Sequence, residues 1–241
     1  MKKIITVAMF IALSTVSAKA IDLGFLSITA GLATNQSVFG ANATSDQKNG
    51  DGTQQSLNKE HGVFTDGFGS QFVEIGLGQW VSVGYEHTPD SISTPQNIND
   101  GGSGDSNNAI TSTVSVDFND LNTTYVKLNT PIGVYFKYGT TETDLDIKET
   151  QLSGSTYSNV STSGTSTGLG YQKYIGDSGF GFRFEGNYLE FDNVTANNGK
   201  TTVVHLDTGL QQNGGLNTVT GKNLEGLTGK FAITYTLGRN R

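Results

Sequence analysis

The sequence contains no cysteine, and among its 241 residues there are only three prolines, three histidines and one tryptophan. With no disulfide to lean on, a chain exported from the cytoplasm must draw its stability from a large sheet or core. Hydrophobic content is only 34%, and after the first twenty residues no run of eighteen or more apolar residues occurs. Both facts exclude a helical membrane protein. The 32 glycines, with abundant Ser, Thr and Asn, argue against a helical bundle. Basic residues are also scarce. Three of the 15 Lys and Arg lie in the first twenty positions, which leaves 12 against 22 acidic residues beyond them, a net charge of −10. Such a chain cannot neutralise a phosphate backbone, so no nucleic-acid partner is expected.

The first twenty residues are different in kind. Lys2 and Lys3 precede an apolar run from Ile4 to Leu13, and Ala18-Lys19-Ala20 supplies small residues at an A-x-A site. This is the pattern of a secretory signal peptide, and it predicts cleavage before Ile21, leaving residues 21–241 as the mature chain. Any later crossing of a membrane must then be made by strands.

The clearest periodic stretch is Leu227-Thr228-Gly229-Lys230-Phe231-Ala232-Ile233-Thr234-Tyr235-Thr236-Leu237. Its odd positions are Leu, Gly, Phe, Ile, Tyr and Leu, and its even positions are Thr, Lys, Ala, Thr and Thr. A period of two over eleven residues is a β-strand with one apolar and one polar face. A tilted strand needs about 9–11 residues to cross a bilayer, although a soluble half-buried strand carries the same pattern. Seven more segments alternate in this way. They are centred on Leu26–Leu32, Phe72–Leu77, Val81–Glu86, Tyr125–Leu128, Val134–Tyr138, Gly168–Gln172 and Phe180–Tyr188.

The connections between these strands sort themselves by length. Leu77-Gly78-Gln79-Trp80, Thr130-Pro131-Ile132-Gly133 and Gly176-Asp177-Ser178-Gly179 read as tight turns. The polar stretches at about 41–66, 89–110, 151–163 and 197–221 read as long loops. Short turns at one rim and long loops at the other, on an eight-stranded antiparallel up-and-down sheet, are the layout of a transmembrane β-barrel. The domain organisation expected is therefore a signal peptide at 1–20 and a barrel at 21–241, with short periplasmic turns and four long extracellular loops.

The two strand faces then acquire meaning. A barrel in a membrane turns its apolar stripe to lipid, here Val73, Ile75, Val83, Phe136, Phe182, Phe184, Phe231, Ile233 and Tyr235. The opposite stripe carries Glu74, Glu86, Lys127, Lys137, Arg183, Glu185 and Lys230, four positive and three negative charges directed into the lumen. Eight strands leave an interior just wide enough for side chains to fill. The expectation is a hydrogen-bonded ion-pair network that plugs the barrel. Trp80, Tyr174, Phe180 and Tyr235 stand near the short turns, where a girdle of aromatics belongs, and Tyr138 and Tyr188 fit an upper one.

With these features the chain beyond the signal resembles the small eight-stranded outer-membrane barrels of Gram-negative bacteria, the OmpA-transmembrane-domain, OmpX and opacity-protein group. The resemblance implies a bacterial outer-membrane location. It also implies contact with outer-membrane lipids and lipopolysaccharide, and assembly by the barrel-insertion machinery. That group's assembly signal maps onto Lys230, Ala232, Tyr235 and Leu237. Ala232 stands where the group has glycine, and the chain ends Leu237-Gly238-Arg239-Asn240-Arg241 rather than on an aromatic. The roles it implies are envelope integrity, adhesion or defence, exercised by the surface loops, whose partner the sequence does not name. With the chain ending soon after the last strand, direct peptidoglycan anchoring of the OmpA kind is not expected.

Chemistry has few residues to work with. His61, His87 and His205 lack a nucleophile at a recognisable spacing, even though His205 and Asp207 are two apart and His87 follows Glu86. The Asp100 to Asp105 stretch lacks the spacing and terminal Glu of a calcium loop. Gly78-Gln79-Trp80 copies the lipocalin G-x-W but follows the second strand instead of opening the first. No enzyme activity, cofactor or metal is expected. Three readings remain open: a plugged barrel displaying loops, a small-solute channel of the OmpW kind, and an outer-leaflet lipid-modifying enzyme.

Overall fold

The computed structural model describes residues 23–49, 54–101, 110–150, 157–199, 203–204, 211–212 and 214–238. The predicted signal peptide with its cleavage site, and the pair His205 and Asp207, lie outside them. All regular structure among the described residues is β-strand: β1 (Leu26–Asn49), β2 (Gln54–Leu77), β3 (Val81–Thr88), β4 (Ile92–Ser93), β5 (Asn97–Gly101), β6 (Ile110–Asn129) and β7 (Val134–Thr150). The second half of the chain adds β8 (Val160–Tyr174), β9 (Phe180–Phe191), β10 (Val194–Asn197), β11 (Val203–Val204), β12 (Gln211–Gln212) and β13 (Gly214–Leu237).

Eight of these strands close a ring in the order β1, β2, β3, β6, β7, β8, β9, β13, and β13 pairs back onto β1 from Ile28↔Leu237 to Asn49↔Gly214. Every neighbouring pair is antiparallel. Closure leaves no sheet edge in the wall of the ring, the condition for crossing a layer that offers no hydrogen bonds. The tight turns are made where glycine tolerates positive φ, at Gly78 (64°), Gly133 (88°) and Gly176 (54°).

The strands run well past the segments that alternate. Where it is described, the stretch 41–66, expected as a loop, is instead the upper part of β1 and β2, which pair from Ala41↔Gly62 to Lys48↔Gln54 with one register shift between Gln47 and Lys48. Periodicity reports the burial of one face, not backbone pairing. Thr44, Asp46, Lys59, Glu60 and His61 have no apolar side to hide, and their strands still hydrogen-bond. Within 89–110, β4 and β5 likewise lie along β6, and β13 already begins at Gly214.

A bulge in β6 shifts the register between Asn119 and Asn122, with Asp120 at φ 49°. One extra residue reverses which parity faces inward. Below it the odd residues Thr123, Tyr125 and Lys127 are buried; above it Phe118 turns in. A bilayer crossing takes roughly ten residues from the short-turn rim, reaching about Gly67 on β2, Asn119 on β6, Asp144 on β7 and Leu227 on β13.

Candidate functional site

The seven charged side chains of the polar stripe all point into the ring and are at most 9% exposed. They come from six strands and meet at mid-height in two layers. In the layer nearer the short turns, Glu74 of β2 is the centre. Lys127 Nζ donates to its carboxylate at 2.6 Å, Tyr125 Oη at 2.8 Å and Arg183 Nη1 at 2.6 Å, while Arg183 Nη2 bonds the second carboxylate oxygen. Gln172 Oε1 accepts from Arg183 Nε at 2.9 Å. A carboxylate in this position receives donors on both oxygens, which offsets its loss of water.

The layer above is built on Glu86 and Glu185. Lys230 Nζ lies 2.6 Å from Glu86 and 3.0 Å from Glu185, and Lys137 Nζ lies 2.5 Å from Glu185 and 3.4 Å from Glu86. Tyr135 Oη donates to Glu185 at 2.6 Å and Ser70 Oγ to Glu86 at 2.7 Å. Aromatic faces join the layers. Lys137 Nζ sits 4.6 Å above the Tyr125 ring and Lys127 Nζ 5.1 Å from that of Tyr135, while Arg183 lies 4.8 Å from Phe72.

Phe72, Tyr125, Tyr135 and Gln172 were not singled out from the sequence as members of this network. A signal for three of them was present: Phe72-x-Glu74, Tyr125-x-Lys127 and Tyr135-x-Lys137 place an aromatic two residues from each charge, on the same face. What period alone does not reveal is where the rings lie. Gly31, Gly84 and Gly170 stand directly opposite Phe72, Tyr125 and Tyr135 on the neighbouring strands. A Cβ at Gly84 would meet the Tyr125 ring at 2.4 Å, and one at Gly170 the Tyr135 ring at 2.3 Å. Glycine is what lets each ring lie flat across the next strand.

Below the network an open polar vestibule of about 480 Å³ reaches up to Glu74, Lys127 and Gln172 from the short turns. Immediately above it lies a pocket of only about 30 Å³, room for about one water. Higher still the interior becomes apolar, with Phe39, Ile92, Phe118, Leu121, Leu145, Leu189, Phe191 and Leu224 clustered together.

The residues predicted to face lipid share the outer face of the ring, though not all of them are open. Ile75, Val83, Phe136, Phe184, Phe231 and Ile233 are 39–53% exposed, and Val73 and Phe182 are half-buried. Tyr235 shares their parity but is 2% exposed, its ring set edge-on 4.8 Å from Phe180. At the end of β13 the chain near Leu23 packs against Gly238, and Leu237 is covered as well, at 4%. Of the other assembly-signal positions, Lys230 belongs to the network and Ala232 is fully buried inside.

His87 is buried with Nδ1 2.7 Å from Asn122 Oδ1, an oxygen that also accepts from Tyr85 Oη at 2.7 Å. It faces an amide rather than a serine and a carboxylate. His61 is exposed on β2 opposite Asn42.

No protein-family model matches the sequence, and no curated protein matches it. Solved structures do. The outer membrane protein OprG from Pseudomonas aeruginosa superposes with a TM-score of 0.53 at 10% identity, over 87% of this chain and 96% of that one. The outer membrane protein AlkL gives 0.50 at 10% identity, over 92% and 95%. The chain has the fold of the small eight-stranded outer-membrane β-barrels.

Proposed function

We propose that the protein is a bacterial outer-membrane barrel, exported through its N-terminal signal, whose lumen is sealed and whose working surface is the extracellular half of the sheet. The observation that carries this reading is the two-layer ion-pair network. Seven buried charges, three aromatic rings and Gln172 meet at the level where the bilayer centre would lie. A solute path would have to part Glu74 from Arg183 and Glu185 from Lys137. Removing one partner of a buried pair costs about 3–5 kcal/mol, so thermal opening is rare.

The exposed belt of Ile75, Val83, Phe136, Phe184 and Ile233 supports contact with outer-membrane lipid and lipopolysaccharide. The end of β13, with Lys230, Ala232, Tyr235 and Leu237, is the segment offered to the insertion machinery. The strands that rise beyond the bilayer carry Thr, Ser, Asn and acidic residues outward, a surface suited to polar contacts outside the cell. No catalytic role is assigned to any histidine.

The polar vestibule favours one rival, a small-solute channel, because it opens at the short-turn rim and extends up to Glu74 and Lys127. Single-channel conductance of the refolded protein in planar bilayers separates the two, with heat-modifiable gel migration as the folding control. Folded protein without steady conductance is the expected result. Reproducible discrete openings overturn the seal, and protein that stays soluble without detergent overturns the membrane assignment.

A further inference from the structure

Above the ion pairs the barrel interior holds an apolar cavity of about 160 Å³, bordered by Phe39, Phe64, Phe118, Leu145, Phe191 and Leu224. Its rings are in mutual contact, Phe39 with Phe64 at 5.3 Å and with Phe118 at 6.1 Å, and Phe118 with Phe191 at 6.4 Å. These residues lie on the extracellular side of the bilayer-crossing segments, where a purely structural strand pair has water on both faces and no need of a phenylalanine cluster. An apolar cavity of about 150 Å³ is large enough to take up a ligand as small as benzene.

The wall beside the cavity is not laddered throughout. β2 pairs with β3 only from Gln71↔His87 down to Leu77↔Val81. Above that level, among the described residues, the ladder partner of β2 is β1 alone, and β4 is laddered to β6. Phe64 stands on the β2 side of this gap, and Thr94 and Val116 on the other; all three border the cavity. Downward the interior is filled by Leu121 and Leu189 and then by the Glu86–Lys230 layer.

We propose that this cavity is a binding site for a small uncharged apolar molecule, one aromatic ring or a short alkyl chain, which enters and leaves on the outer side and is held there. Charged ligands are disfavoured, since among the bordering side chains only Glu225 carries a charge and the surface is otherwise almost wholly apolar. The site is independent of the seal. It goes beyond the proposed function, and a conducting lumen would leave it standing.

The test uses the whole protein in lipid nanodiscs with 4-fluorotoluene as probe, read by fluorine NMR line broadening against empty nanodiscs. The expected result is saturable broadening in excess of lipid partitioning. Val116→Trp, which places an indole in the cavity, should weaken it at least tenfold, and Ile75→Trp on the outer face should leave it unchanged. Broadening that rises linearly and equals that of empty discs overturns the proposal. So does a Val116→Trp protein that binds as the parent does. Should Val116→Trp lose its heat-modifiable migration, Val160→Trp replaces it, on β8 at the wall of the same cavity.

Discussion

Arg183 holds Glu74 through both terminal nitrogens of its guanidinium, across the lumen and 109 positions away in sequence. The pair ties β9 to β2, strands that are not neighbours in the ring, so it braces the barrel through its interior as the ladders do around its circumference.

Replacing one member should therefore cost more than its hydrogen bonds. Glu74→Ala leaves Arg183 and Lys127 buried without their counter-charge and is expected to destabilise by about 3–5 kcal/mol. Arg183→Lys keeps the charge but not the planar fork, and should fall between wild type and Glu74→Ala. Denaturant unfolding in bilayers, followed by the fluorescence of Trp80, measures both. If the midpoint for Glu74→Ala matches wild type, the network is not structural.

The glycines opposite the rings make a sharper contrast. Gly84→Ala thrusts a methyl into the Tyr125 ring, whose hydroxyl is fixed on Glu74, and overpacking of this kind costs about 1–3 kcal/mol. Gly186 is also in a strand, but nothing lies within 4 Å of a Cβ there. Gly186→Ala should be neutral or stabilise by about 0.4–1 kcal/mol. The same unfolding assay reads both, and equal losses would show that ring accommodation is not why Gly84 is glycine.

Where the bilayer ends can be read with lysine. Ile233→Lys on the outer face at network height is expected to cost roughly 2–4 kcal/mol of folding into lipid. Val63→Lys replaces a more exposed apolar residue, 75% against 52%, but one above the crossing segment, and should stay within about 0.5 kcal/mol. If the two cost the same, the membrane band has been placed wrongly.

Beyond the membrane, Lys148 donates to Asp117 across β6 and β7. That bond holds the Asp117 carboxyl below its ordinary 3.8 and the Lys148 ammonium above its ordinary 10.5. A depressed carboxyl contributes stability that is complete above its unfolded value and fades as pH falls through the folded one. Amide protection factors in the β6–β7 extension, with the intrinsic pH dependence of exchange divided out, should therefore be steady above the ordinary carboxyl range and fall only below about 3.8. Asp117→Asn should abolish that acid-dependent loss of protection. Onset near neutral pH would assign the effect to another group.

Much of the fold was legible because a membrane barrel writes itself in period two. The alternation of Phe182, Arg183, Phe184 and Glu185 places charge and ring on opposite faces whatever the neighbours are. The short turns at Gly78, Gly133 and Gly176 fixed which ends of the strands lie together. The polar extensions were not legible, because a stretch such as 44–46, Thr-Ser-Asp, has no apolar residue and so shows no hydrophobic period. Nor was the reversal of β6 at Asp120, since a bulge is set by the extra residue in the pairing and not by composition.

By itself the sequence determined which side chains share a face within each strand: parity is covalent geometry, and the apolar stripe opposite each of Glu74, Lys127, Lys137 and Arg183 marked these as the residues to be turned inward. Only the closed ring decided which of them meet. Partner choice depends on the stagger between strands far apart in the chain, and it is this stagger that set Arg183 on Glu74, Lys230 on Glu86, and Phe39, Phe118 and Phe191 around one cavity.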